Sequence, residues 1–246
     1  MSEFQNKCIV ITGVGGNLGH SLLKFFFNKK SKIIGFAKTK RSYLKSYENK
    51  KNVKIFYGDL ADEDFVKSKL QKKNLFDNKI HHLINCAGSV SSKKISQIDL
   101  NHWYKLIDDN LTSTFLPTKF SFPLFAKYGN RSIVNISSIA GQRFSKTAGV
   151  HYTSTKAGLI GFTKQLAIEK AKYKIRINCI APGQIDSKML DKAIKNSKNR
   201  KNELINAIPL KRLARTEDIV NVCEFLCSEK SSYLTGTTID VNGGVI

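Results

Sequence analysis

Two kinds of apolar pattern alternate along the chain. Short runs rich in β-branched residues read as strands: Cys8–Thr12, Lys32–Ala37, Val53–Tyr57, His82–Cys86, Ser132–Ser137, Ile175–Ala181 and Thr237–Val241. Between them lie longer stretches that read as helices: Leu18–Asn28, Glu63–Lys72, Leu100–Ala126, Ser154–Lys172 and Thr216–Leu226. A helix after each strand carries the chain back to the end it started from, so successive strands run parallel. Right-handed crossovers then put helices on both faces. The pattern predicts an α/β protein with a single-domain Rossmann fold, a doubly wound parallel sheet of about seven strands. No repeat, low-complexity tract or Pro/Gly linker divides residues 1–246, so one domain is expected. The long irregular stretch is Gln184–Arg215, and an insert of that size in a compact α/β domain predicts a lid.

Composition narrows the setting. Apolar residues make up 41% of the chain, enough to build a core. No apolar run approaches the roughly 18 residues that span a bilayer, so no membrane partner is expected. The start, Met1-Ser2-Glu3-Phe4, lacks the basic segment and long apolar stretch of a leader. The five cysteines, Cys8, Cys86, Cys179, Cys223 and Cys227, are odd in number and scattered, as reduced thiols in a cytoplasmic protein would be. Cys223 and Cys227 lie four apart on a helical pattern with no further ligand near in sequence, so no metal site is expected. The formal charge is +22, from 41 basic and 19 acidic residues. That excess reads either as attraction for a polyanionic partner or as drift in a chain also rich in Asn, Ile and Phe. Lysines recur throughout without a nucleic-acid-binding motif, so no nucleic-acid partner is expected.

The first strand runs into Thr12-Gly13-Val14-Gly15-Gly16-Asn17-Leu18-Gly19, and a helix follows. Glycines let backbone amides approach a pyrophosphate, and a helix N-terminus meets it with free N–H groups and the positive end of its dipole. The string's position between the first strand and the first helix distinguishes it from a plain tight turn. Farther on, Tyr152 and Lys156 form Y-x-x-x-K, one turn apart on one helical face. In a lysine-rich chain with 8 tyrosines a chance match is expected, and Tyr47/Lys51 is a second instance. Context separates them. Tyr152 follows the strand end Asn135-Ile136-Ser137-Ser138-Ile139-Ala140-Gly141, whereas no such strand precedes Tyr47.

In this order the strings resemble the short-chain dehydrogenase/reductase family. The first is similar to its T-G-x-x-x-G-x-G motif, with Asn17 for the middle glycine. Asn tolerates left-handed backbone angles best among non-glycine residues, so the turn is expected to survive the exchange. Gly58-Asp59-Leu60 resembles the adenine-contacting segment, and Asn85-Cys86-Ala87-Gly88 resembles N-N-A-G with Cys86 for the second Asn. Asp109-Asn110-Leu111-Thr112, the serine segment and Tyr152–Leu159 also resemble the family's strings, as does Pro182-Gly183-Gln184-Ile185-Asp186-Ser187, with Ser187 for Thr. The resemblance covers essentially the whole chain. Ala157–Thr163, Leu210-Lys211-Arg212-Leu213 and the run from Tyr233 to Gly244 are most similar to β-ketoacyl-acyl-carrier-protein reductases.

The resemblance implies a nicotinamide cofactor. Gly13, Gly16, Asn17, Leu18 and Gly19 would line its pyrophosphate, Asp59 and Leu60 its adenine, and Pro182, Gly183, Ile185 and Ser187 its carboxamide. Asn85, Ala87, Gly88, Tyr152 and Lys156 complete the implied set. The second strand ends in Lys38-Thr39-Lys40-Arg41, three basic residues and no acid. An acid there would bond the ribose hydroxyls and repel a 2′-phosphate. Its absence predicts NADPH, with Lys38 as a contact; the alternative is a solvated basic turn.

For catalysis the resemblance implies that Tyr152 donates a proton to a carbonyl oxygen, Ser138 steadies that oxygen, Lys156 holds the ribose, and Asn110 supports a proton relay. A nearby Lys156 ammonium is expected to lower the Tyr152 pKa. The implied reaction is reduction of a ketone, with a 3-oxoacyl thioester on acyl carrier protein as one candidate. Sugar, polyol, steroid and secondary-metabolite ketones share the same residues, and a cofactor-binding protein without catalysis is a further alternative. A homotetramer is implied, with Leu100–Ala126 and Ser154–Lys172 paired between subunits. The expected lid carries nine basic and three acidic residues, which suits an anionic carrier or simply repeats the chain's lysine excess.

Overall fold

The computed structural model describes residues 2–72 and 75–245; Met1 of the N-terminal reading lies outside them. Among the described residues, β1 (Cys8–Thr12), β2 (Lys32–Ala37), β3 (Val53–Tyr57), β4 (His82–Asn85), β5 (Ser132–Ile136), β6 (Arg176–Pro182) and β7 (Thr238–Val241) form one sheet. Every pair is parallel, in the order β3-β2-β1-β4-β5-β6-β7. Each strand matches its expected span to within a residue or so at either end. The helices are α1 (Asn17–Asn28), the short α2 (Lys45–Glu48), α3 (Glu63–Leu70), α4 (Leu100–Ile107), α5 (Ser113–Ser121), α6 (Val150–Lys170), α7 (Lys188–Ala193), α8 (Lys198–Ala207) and α9 (Thr216–Cys227).

Both faces of the sheet are covered, which is why its strands read as nearly continuous apolar runs. Ile9, Ile11, Ile33, Ile84, Val134 and Ile180 point to one face and pack under Leu22 and Phe26 of α1 and Ile219 and Cys223 of α9. Their strand neighbours Val10, Ile34, Leu83, Ile133 and Ile177 point to the other, under Val66 of α3, Leu116 of α5 and Leu166 of α6. A third, separate cluster, Leu190, Ile194, Leu204, Ile208 and Leu213, lies within the expected lid.

Three expectations change. Gln184–Arg215 is not irregular: α7 and α8 lie inside it, capped by the Ser187 and Ser197 hydroxyls, which accept from Leu190 N (3.2 Å) and Arg200 N (3.4 Å). α6 begins at Val150 rather than Ser154, which places Tyr152 in its first turn. Val150, His151, Tyr152 and Thr153 are all weak helix formers, and the tertiary setting overrides them.

The largest change concerns Leu100–Ala126. It is not one helix: α4 gives way to a π-turn at Asp108–Thr112, then α5, then a 3-10 turn at Phe122–Leu124. The Asn110 amide donates to Leu106 O and Ser89 O, both at 3.1 Å, and the Ser113 and Thr114 hydroxyls donate to Asp109 O (2.7 Å) and Asn110 O (3.2 Å). These side chains compete with the regular backbone ladder, and Pro117 has no N–H to contribute to it.

The site depends on how closely α6 meets the end of β5. A Cβ on Gly141 would lie 2.5 Å from Lys156 C and 2.6 Å from Lys156 O. Beside this contact the Ser137 hydroxyl donates to Lys156 O at 2.8 Å. Gly141→Ala is therefore expected to force α6 outward, at a cost of about 2 kcal/mol typical of overpacking. That lowers Tm by roughly 4–8 °C in a domain of this size. An unchanged Tm in thermal denaturation would show the approach to be slack.

Candidate active site

The sequence strings converge at the C-terminal ends of the strands, where β1 and β4 lie side by side and the chain winds away in opposite directions. Such a switch point leaves a crevice. Thr12 pins its two walls: its hydroxyl accepts from the Cys86 and Ala87 N–H groups, both at 3.0 Å. Gly13 takes φ +74°, and a Cβ there would meet Ala87 Cα at 2.8 Å, so only glycine fits. Thr12 opens the glycine-rich string, and its role shows only once residue 86 is beside it.

Asn17 does not use that tolerance. It has no left-handed backbone and instead opens α1 after the extended Gly16. Among the described residues, the backbone N–H groups of Asn17, Leu18 and Gly19 have no acceptor, and no acid stands in the first turn of α1. Unpaired donors at an acid-free helix start suit an anion such as a pyrophosphate.

At the end where the sequence places an adenine, Lys38 is not free. Its ammonium donates to Asp59 at 2.6 Å and lies 3.6 Å from Asp109, which also pairs with Lys105 at 3.1 Å and accepts from the Ser89 hydroxyl at 2.7 Å. The Asp59 hydrogen bond raises the Lys38 pKa. Burial pushes Asp59 upward, but Lys38 and the Ala61 N–H outweigh it and hold the carboxyl below its usual value. Leu60 is buried beside them. Lys40 and Arg41 are exposed and form no ion pair among the described residues, and Arg41 Cγ would lie 3.9 Å from a Cβ on Gly15.

Asn85 turns its side chain away from the crevice. It is buried and donates to Thr118 (3.0 Å) and Asn135 (2.8 Å), so only its backbone remains to line the site. Cys86 is partly buried, and burial pushes its thiol up to about 12, so it is a neutral space-filler at physiological pH. Across the crevice, Pro182 ends β6, and Gly183 packs so closely on Asn242 that a Cβ would meet Asn242 Cα at 2.9 Å. Ile185 bridges Ala214. The Ser187 hydroxyl donates to Ile185 O at 3.3 Å while capping α7, so it is already engaged.

The chemistry-bearing residues meet at the other end. Ser138 leaves β5 and its hydroxyl accepts from Ala140 N at 3.1 Å. Tyr152 lies against it; burial raises the phenol's pKa and the Ser138 hydroxyl opposes that. The expected lowering by Lys156 is not what the site shows: desolvation wins. Lys156 Nζ sits 5.8 Å from the Tyr152 ring centre and donates to Ile136 O at 2.9 Å. Burial lowers its pKa to about 8, against a smaller opposing effect of Cys179 and Cys86. Asn110 closes the group from below. Its Oδ1 accepts from Ser89 N at 3.2 Å, and a Cβ on Gly88 would lie 2.6 Å from that oxygen and 3.5 Å from Lys156 Nζ. Ser89, missed in the sequence, directly follows the Ala87-Gly88 string that could have pointed to it. The other Y-x-x-x-K pair is elsewhere, with Tyr47 packed edge-on to Phe27 on the α1 side.

Lys156 makes stability depend on pH. Between pH about 8 and the ordinary lysine value of 10.5, the unfolded chain keeps a proton that the folded chain has released. Stability from this group therefore rises with pH across that window. In Lys156→Met, denaturant unfolding at pH 8 and pH 10 is expected to lose that part of the rise; an identical pH slope in both proteins would rule out a depressed lysine.

Comparison with known proteins places the arrangement. Residues 33–246 match the family model described as "Enoyl-(Acyl carrier protein) reductase". The chain is 35% identical over 250 residues to a 3-oxoacyl-[acyl-carrier-protein] reductase of Aquifex aeolicus, covering 99% of this chain and 98% of the relative. It is 32% identical to Nodulation protein G of a Rhizobium species, covering 100% and 99%. Among solved structures, ligand-free aldohexose dehydrogenase of Thermoplasma acidophilum superposes with TM-score 0.89 at 26% identity, over 99% of this chain and 95% of that one. A short-chain dehydrogenase of Leptospira borgpetersenii with bound NAD+ gives 0.86 at 29%, over 99% and 94%.

Proposed function

Because the chain belongs to the short-chain dehydrogenase/reductase family, a family of nicotinamide-dependent oxidoreductases, we propose that it is an NADPH-dependent ketone reductase acting on a 3-oxoacyl thioester carried by acyl carrier protein. The observation that carries this reading is the convergence of Ser138, Tyr152 and Lys156 around the crevice whose far end has unpaired helix N–H groups. Two hydroxyls facing one position suit a carbonyl oxygen, which gathers negative charge during reduction. That favours the chemistry named for the Aquifex relative over the carbon–carbon reduction implied by the family model's description.

Gly13, Gly16, Asn17, Leu18 and Gly19 would hold the cofactor's pyrophosphate, Leu60 and the Asp59 turn its adenine, and the Pro182–Ile185 segment its nicotinamide end. When bound, that cofactor supplies the hydride. The chain supplies the proton. Burial keeps the Tyr152 phenol protonated until it is needed, and its O–H donates to the substrate oxygen. The Ser138 hydroxyl donates to the same oxygen. Lys156, now turned to Ile136 O, is placed to hold the cofactor ribose and stabilise the phenolate that Tyr152 becomes. Asn110, locked in the π-turn against Ser89, fixes the floor on which protons return to Lys156.

Arg41 stands beside the glycine turn and Lys40 over the Tyr57 ring, neither in an ion pair among the described residues, and they support NADPH; Lys38 joins them only by leaving Asp59. Residues 184–215 act as the substrate lid, and their nine basic side chains suit an acidic carrier protein. An exposed apolar dent lined by Leu111, Phe115, Gly158 and Phe162 supports pairing of α5 and α6 between subunits of a homotetramer. The absence of a membrane-length apolar helix among the described residues fits a cytoplasmic enzyme. The aldohexose dehydrogenase neighbour supports a second reading, oxidation or reduction at a sugar or polyol, through the same residues.

Purified protein is expected to oxidise NADPH with carrier-linked 3-oxoacyl thioesters faster than with sugar ketones, and the reverse order would favour the second reading. Tyr152→Phe is expected to keep the fold and cofactor affinity and to lose about 10²–10⁴-fold in kcat. Retention of a tenth or more of kcat would remove Tyr152 as the acid. NADPH is expected to bind at least about tenfold more tightly than NADH, or about 1.4 kcal/mol. Arg41→Ala should narrow that gap while leaving NADH affinity alone, as titration of cofactor fluorescence would show.

A further inference from the structure

Asn17 stands where the family pattern has glycine, and its backbone does not account for the exchange. Its side chain does have a partner. Asn17 Nδ2 donates to Asp186 O at 3.3 Å, joining the turn after β1 to the segment after β6. Asp186 is a node. Its N–H donates to Ala214 O at 2.9 Å while Ala214 N–H donates to Gln184 O at 2.8 Å, so the two ends of the 184–215 segment are stapled side by side. Its carboxylate accepts from Lys201 of α8 at 2.7 Å, and Asp191 of α7 lies 3.6 Å from the same ammonium. One residue thus gathers both ends of the lid, its second helix and, through Asn17, the turn whose free N–H groups face the crevice.

Resting on the cofactor-dependent reading of the site, we propose that Asn17 is a positioning residue: its amide ties the root of the lid to the phosphate turn and so slows both lid opening and release of a dinucleotide lying in the crevice. A glycine has no atom with which to make this tie. The bond is exposed and joins a neutral donor to a neutral acceptor. Its net effect is that of one ordinary hydrogen bond, a shift of about three- to tenfold in an opening equilibrium. The Lys201 pairs are also exposed and contribute little alone; the Leu210 N–H on Gly243 O at 3.1 Å and Arg212 on Asp218 hold the far part of the segment, and the Asn17 bond adds to them at its root.

Amide hydrogen exchange across residues 187–213 reads lid opening in the cofactor-free protein. Asn17→Ala keeps the Cβ and favours the helix, so it removes the tie without opening space or weakening α1. Exchange in 187–213 is expected to quicken about three- to tenfold while β1 and α1 stay unchanged. Asn17→Asp, of equal size but without the donor, should do the same. Release of prebound NADPH, followed by its fluorescence, should quicken by a similar factor. Unchanged lid exchange in both variants overturns the proposal, as does faster lid exchange with unaltered NADPH release. If the unmodified protein binds neither NADH nor NADPH, the reading of function fails, and the link from Asn17 to cofactor release falls with it.

Discussion

The buried Lys156 ammonium donates to the Ile136 carbonyl, while the Lys156 carbonyl accepts from the Ser137 hydroxyl. β5 and α6 are therefore laced in both directions at the point where Ser138 leaves the sheet and Tyr152 enters its helix. The missing side chain of Gly141 permits the approach. Removing a lysine from water is costly, and the fall of its pKa to about 8 records that cost. The Ile136 carbonyl and the packing around Gly88 and Asn110 hold it there. The same crowding raises the Tyr152 phenol, so one arrangement yields a ready cation beside a retained proton.

The walls of the crevice are fixed by equally short-range means. A single hydroxyl, Thr12, holds the exits of β1 and β4 together. Asn110, clasping Ser89 through both ends of its amide, ties α4 to the chain leaving β4. The π-turn is the backbone's response to that clasp. These contacts leave the helix donors of α1 and the hydroxyls of Ser138 and Tyr152 along the C-terminal edge of the sheet, where a switch point makes room for a ligand.

Strands were legible in the sequence because both faces of each are buried, so Ile9 and Val10 are apolar whichever way they point. Strings such as Tyr152–Lys156 were legible because their members lie within one helical turn. What escaped depended on partners far away in sequence. Leu100–Ala126 reads as one helix until Ser89 is seen to hold Asn110. Lys38 reads as a free cation until Asp59 and Asp109 are beside it. Asn17 reads as a backbone substitute until Asp186, 169 residues on, accepts its amide. α7 and α8 were hidden because α8 is polar almost throughout and buries little but Leu204.

The 184–215 segment contains an apolar cluster of its own, separate from the two on the sheet. Leu190, Ile194, Leu204, Ile208 and Leu213 satisfy one another, so the segment has the packing of a small module rather than of a loop draped on the domain. It meets the rest of the domain at its roots, where Ile185 and Ala214 pack against the first sheet cluster, and at the chain end, where Val245 packs against its own. Over evolutionary time such a module can diverge, lengthen or be exchanged while the residues that carry out the reaction stay untouched. One reaction centre can in this way be inherited by enzymes with very different diets.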